Sequence, residues 1–187
     1  MGGSDQTNES IRTKRPCNLS SLVNAIKRLL FKARIKCFLI LLWIYFIFSL
    51  DECSHEFPSN HAPFFLPESE SAKIHTSVAP IEGEPVILKH QINSFRDTEL
   101  NNILKELNVE KLIIVGAMSH MCIDAVTRAA VDLGYECHVA HDACATLDLE
   151  FNGVTVPVIH VHSAFMAALY FGYCNVDSTT QLLDLVR

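Results

Sequence analysis

No two of the seven cysteines, at positions 17, 37, 53, 122, 137, 144 and 174, stand at the two-residue spacing that zinc and dithiol redox sites use. An odd number of thiols fits a reducing compartment better than a disulfide framework. Positive charge is also scarce, with 15 Lys and Arg against 21 Asp and Glu and a net charge of −6. That balance argues against nucleic acid as a partner, because phosphate binding needs clustered Lys and Arg on a basic surface. A small-molecule ligand fits better. Nor is there an apolar run of the roughly 20 residues that cross a bilayer in comfort. The longest, CFLILLWIYFIFSL over 37–50, falls short of that and exceeds an ordinary strand.

What is present suffices for one core. The 187 residues are 49% hydrophobic, which predicts a single folded domain. Residues 1–18 are polar, rich in turn formers and aperiodic, so they read as a disordered leader, with the folded domain over 19–187. From Ser21 to Arg34 the apolar positions Leu22, Val23, Ile26, Leu29, Leu30 and Ala33 recur at helical spacing.

The run 37–50 has three readings. A core strand following that helix is preferred. As a signal anchor it would carry Lys27, Arg28, Lys32, Arg34 and Lys36 before it and Asp51 and Glu52 after it, and would export everything beyond residue 50. Export would expose spare thiols to an oxidising compartment, so membrane anchoring stands second to a cytoplasmic location. A cleaved signal peptide lacks its small-residue cleavage site.

The second half is regular. Periodicity predicts strands at Glu84–Lys89, Lys111–Gly116, Glu136–Ala140 and near Val176, and helices at Thr98–Leu107, about Met121 to Gly134, and Val158–Tyr170. Alternating helices and wholly apolar strands indicate an α/β fold with a parallel sheet covered on both faces. Ligands of such sheets gather at the carboxyl ends of the strands. Lys89, the segment Gly116 to Cys122, and His141 with Asp142 all fall there.

VGAMSHMCIDAVTRAAVDLGY over 115–135, preceded by VILKHQINSFRDTEL and followed by VAHDACAT, resembles the isochorismatase-like cysteine hydrolases, which include nicotinamidases and N-carbamoylsarcosine amidases. The likeness covers about residues 63 to 180. It implies a three-layer, Rossmann-like parallel sheet of six strands and a Cys, Lys, Asp triad. Cys122 matches the nucleophile and Lys89 the lysine. The resemblance further implies a cis peptide between Ala117 and Met118 and an oxyanion hole built from the N–H groups of Met118 and Cys122. Ser94 and Phe95 match positions that shape the pocket, and Phe64 is a candidate aromatic wall, with plain packing the equal alternative for each.

Physical chemistry supports the nucleophile independently. A thiol at a helix N-terminus feels roughly half a positive charge from the aligned peptide dipoles, and a nearby ammonium lowers its pKa further. Cys122 is therefore expected to rest as a primed thiolate.

Other residues carry less. His160 and His162 lie two apart, a poor pair of ligands on one helix, and the Asp and His metal set of nicotinamidases finds no match. No metal and no redox cofactor is expected. Asp124, Arg128 and Asp132 form a four-residue ladder of small energetic weight. Cys137, Cys144 and Cys174 read as packing residues.

One departure from the family pattern bears on competence. Members begin with an apolar strand ending in the triad Asp. Here Asp5-Gln6 follows Met1-Gly2-Gly3-Ser4, which cannot form a buried strand. The sheet is thus expected to miss its first strand, as in a truncated product, a faulty gene model or a non-catalytic relative. The leading reading is hydrolysis of a C–N bond in a small amide through Cys122, ahead of the vinyl ether of isochorismate. The alternatives are an inactive binding or oligomerisation module and a membrane-tethered variant of either. A homo-oligomer is expected.

Overall fold

The computed structural model describes the backbone of Ile44–Phe46 and residues 85–185. The leader, the Ser21–Arg34 helix, Asp5, Phe64 and the remainder of the 37–50 run lie outside the described residues.

Within that run Ile44–Phe46 is a strand (β1), and it pairs in parallel with Ile87–Lys89 (β2), Ile44 opposite Ile87 and Phe46 opposite Lys89. Those three residues of the run are thus in a parallel strand. Then follow α1 (Leu100–Glu106), β3 (Lys111–Ala117), one turn of π-helix (Ser119–Ile123), α2 (Asp124–Asp132) and β4 (Glu136–Ala145). The chain continues through β5 (Leu149–Phe151), β6 (Val154–Val156), α3 (Val158–Gly172), β7 (Asn175–Asp177) and α4 (Thr179–Leu185).

Strands β3, β4 and β7 form a parallel sheet in that order. Successive parallel strands need a crossover, and α2 supplies it between β3 and β4, as α3 does before β7. The result is the α/β parallel architecture read from periodicity. Each strand buries its apolar residues where the helices cover the sheet. Leu112, Ile114, Cys137 and Val139 pack with Leu100, Leu104, Val126, Ala130 and Leu169 in one core.

The antiparallel pair β5–β6 turns at Asn152-Gly153, both at positive φ (51° and 72°). Two adjacent positive-φ residues define the hairpin turn that Asn-Gly favours.

Helix α3 departs from ordinary patterning. It carries no Asp, Glu, Lys or Arg, and it buries Val161, Met166 and Leu169 while Ile159, Tyr170 and Phe171 stay exposed.

Among the described residues no helix is long and apolar enough to cross a membrane.

Candidate active site

The segment after β2 folds on its own side chains. The Asn93 Oδ1 accepts the Phe95 N–H at 3.0 Å, its carbonyl accepts the Arg96 N–H at 3.0 Å, and the Thr98 hydroxyl donates to the Ser94 carbonyl and accepts from the Leu100 N–H. Asn is suited to such local turns because its short amide mimics a backbone acceptor. The bend brings two carbonyls over the end of Lys89, whose Nζ donates to Gln91 O at 2.9 Å and Ile92 O at 2.7 Å.

Lys89 is only 1% exposed, and it interacts electrostatically with the sulfur of Cys122. An ammonium there can donate to both carbonyls while its charge faces the sulfur.

Cys122 is placed by a sharp change of direction after β3. Its pairing with β4 shifts between Ile114 and Gly116, and Gly116 adopts φ 131°, a conformation that side chains resist. A Cβ on Gly116 would meet Ile123 only at 3.7 Å, so backbone conformation rather than space calls for glycine there. The Ala117–Met118 peptide is cis. The Met118 carbonyl then accepts N–H groups from Met121 (3.0 Å) and Ile123 (3.2 Å). That second bond spans five residues and makes the turn a π-turn, where periodicity predicted a plain α-helix from Met121. The Met118 N–H favours the charged form of the Cys122 sulfur.

Cys122 is 3% exposed. Burial pushes its thiol up to about 11, against the pull of Lys89 and of the Met118 N–H, while burial brings the Lys89 ammonium down to about 8. Dehydration of the sulfur thus works against the primed thiolate that the ammonium and the Met118 N–H favour.

The remaining histidines separate clearly. His120 bonds through Nδ1 to the Thr146 hydroxyl and lies edge-on to Phe165, with ring centroids 6.1 Å apart. His162 bonds through Nδ1 to the hydroxyl of Ser119 at 2.9 Å. Burial lowers both imidazoles below 6.5, and His141 lowers His162 further. His160 is exposed, so the two α3 histidines do diverge. His138 bridges Asp177 (2.9 Å) and Glu136 (3.3 Å). Among the described residues no three His, Cys, Asp or Glu side chains are grouped to hold a metal ion.

Asp142, within β4, accepts the Thr179 N–H (2.8 Å) and hydroxyl (2.7 Å), and Asp148 accepts the Val158 N–H at 2.7 Å. Both carboxylates serve helix starts. Arg128 forks onto Asp124 and lies 4.4 Å over the Tyr173 ring.

Phe95 stacks on Tyr135 at 6.1 Å and packs against the core, whereas the Ser94 hydroxyl, 1% exposed, finds no hydrogen-bond partner among the described residues. Cys137, Cys144 and Cys174 form no disulfide, and burial raises the first to about 12 and the last to about 11. The site residues that periodicity missed are Ser119 and Thr146, and the role of His162. A histidine on the core-facing side of an uncharged helix was the one local signal.

The isochorismatase domain family matches residues 5–156. The chain is 50% identical over 129 residues to YddQ, an uncharacterized isochorismatase family protein of Bacillus subtilis, covering 69% of this chain and 72% of that protein. It is 35% identical over 83 residues to streptothricin hydrolase of Streptomyces noursei, covering 44% of this chain and 30% of that protein. A crystal structure assigned as an isochorismatase hydrolase from Oleispira antarctica matches with a TM-score of 0.77 at 51% identity, over 97% of this chain and 90% of that chain.

Proposed function

The chain belongs to the isochorismatase family, and from that premise we propose that it hydrolyses a C–N bond of a small amide-type substrate, with Cys122 as nucleophile and Lys89 as its proton partner. The observation that carries this reading is the buried Lys89 amine interacting with the buried Cys122 sulfur while two carbonyls hold its Nζ in place. The amide class follows from the likeness of the 115–135 turn to nicotinamidases and N-carbamoylsarcosine amidases.

The steps follow from that pair. The thiol proton passes to a neutral Lys89 amine, which leaves a thiolate beside an ammonium. The sulfur attacks the carbonyl carbon, and the N–H groups of Met118 and Cys122 receive the oxyanion. As the C–N bond breaks, the leaving nitrogen takes a proton from Lys89 and departs as ammonia or an amine. The amine of Lys89 then accepts a proton from water, the hydroxide opens the thioester, and the thiol is restored.

A second reading, an inactive binding module of the same fold, is favoured by the burial of the sulfur. Ammonia release from a panel of small primary amides decides between them. Turnover that vanishes in Cys122→Ala supports the hydrolase, and turnover that survives it removes the nucleophile.

A further inference from the structure

Two of the three residues between Met118 and Cys122 are tied sideways to distant parts of the fold. The Ser119 side chain is wholly buried, and its hydroxyl lies 2.9 Å from His162 Nδ1 on α3 and 3.4 Å from the Ala145 carbonyl at the end of β4. His120 reaches Thr146, the residue after β4, and rests against Phe165 of α3. The hydrogen-bonded partners are 26 and 43 residues away in sequence, so nothing local requires them.

The two bonds of Ser119 are unequal. At 3.4 Å the Ala145 carbonyl is a long, weak partner, and the 2.9 Å contact with His162 fixes where the hydroxyl sits. Whichever of the two atoms carries the proton, the hydroxyl has this one close partner. An apolar side chain at 162 would fill the core-facing side of α3 equally well and leave the buried hydroxyl with the long bond alone. A polar ring in that place serves the turn.

Ser119 directly follows Met118, and a shift of its side chain moves the Met118 carbonyl that closes the π-turn on Met121 and Ile123. We propose that His162 is a positioning residue for the oxyanion turn: through Ser119 it holds the backbone so that the N–H groups of Met118 and Cys122 converge on the reacting carbonyl oxygen. This rests on the reading of Cys122 as nucleophile. His162 itself touches no reacting atom.

Two reagents separate the roles. Iodoacetamide alkylates sulfur by displacing iodide, forming one S–C bond without an oxyanion. The ester p-nitrophenyl acetate acylates it: the S–C bond forms, an oxyanion develops, and the C–O bond to p-nitrophenolate breaks. Both are followed by mass spectrometry of the Cys122 peptide, with Tm recorded for each variant. In His162→Leu the acylation rate should fall about 10- to 100-fold, in the range for a misplaced oxyanion donor, while alkylation stays within about twofold. In His162→Asn, whose amide can reach Ser119 from the place of Nδ1, acylation should return to within about threefold of the original. Ser119→Ala, a smaller change, should reproduce the leucine phenotype and covers a His162→Leu chain that does not fold. Parallel loss of both reactions in Ser119→Ala, or acylation unchanged in both variants, would overturn the positioning role. Failure of both reagents to mark Cys122 in the unaltered protein would remove the nucleophile as well.

Discussion

The Lys89–Cys122 pair should reveal itself in how the reactivity of Cys122 changes with pH. Burial holds the Lys89 ammonium near 8, where a solvated lysine stays near 10.5, and raises the thiol to about 11. The first proton therefore leaves the pair near pH 8, and the state that remains holds one proton between amine and sulfur. Alkylation of Cys122 by iodoacetamide should rise through pH 8, level off by about pH 9 to 10, and at pH 7 run about tenfold below that plateau. Lys89→Met removes the amine and its pull on the sulfur, so the rise should move to pH 11 or above. A thiol at 11 or above is ionised to about one part in 10⁴ or less at pH 7, so the variant should react more slowly than the original there. Cys137 and Cys174, also raised by burial, are internal references in the same digest. A variant profile that superimposes on the original would refute the shared proton.

Other consequences can be checked separately. Cys122→Ala should abolish amide turnover while shifting Tm by only a few degrees, since one buried sulfur is lost from a site on the edge of the core. Stability should decline as pH falls below about 6.5: His120 and His162 are held neutral in the fold, the unfolded chain takes up those protons first, and unfolding is thereby favoured. A Tm equal at pH 7.5 and pH 5 would contradict that. Asp148→Ala removes the acceptor at the start of α3 and should cost about 1 kcal/mol in denaturant unfolding. Leu169→Ala, at a wholly buried position, should cost about 2–5 kcal/mol, and a cost below 1 would mean the core there collapses freely.

How far the sequence could be read depended on whether a feature was local. The strand Lys111–Gly116 is the observed Lys111–Ala117, and the helix Val158–Tyr170 extends only to Gly172. Those segments announce themselves by continuous apolar runs. Strand β4 was cut short at Ala140, because His141 and Asp142 interrupt the apolar run although Cys144 and Ala145 still pair with Gly116 and Ala117. The hairpin at Asn152-Gly153 was legible and passed over. Helix α4 was not legible: its start is held by Asp142, 37 residues earlier. The same holds for the π-turn, which differs from an α-helix by one residue, and for the Ser119–His162 contact. In the site, residue types and turn pointed to Cys122 and Lys89, but the sign of the thiol shift depended on burial. Burial is set by the whole fold.

That sign has a consequence for how the sulfur could act at all. Moving a thiol from 9.0 to about 11 lowers its ionised fraction at neutral pH by about 100-fold. The more basic thiolate attacks faster, but with a Brønsted slope near 0.4–0.5 the gain is only about 6- to 10-fold. A buried cysteine acting alone would thus be about tenfold worse than one in water. Burial helps only if the proton stays inside the site, passing to an amine that the same burial has made ready to accept it. Lys89, lowered by dehydration and held by Gln91 and Ile92, meets that condition, and a thiolate formed against it keeps an opposite charge beside it. The two opposed shifts are then one device, and dehydrating either residue without the other would leave the sulfur inert.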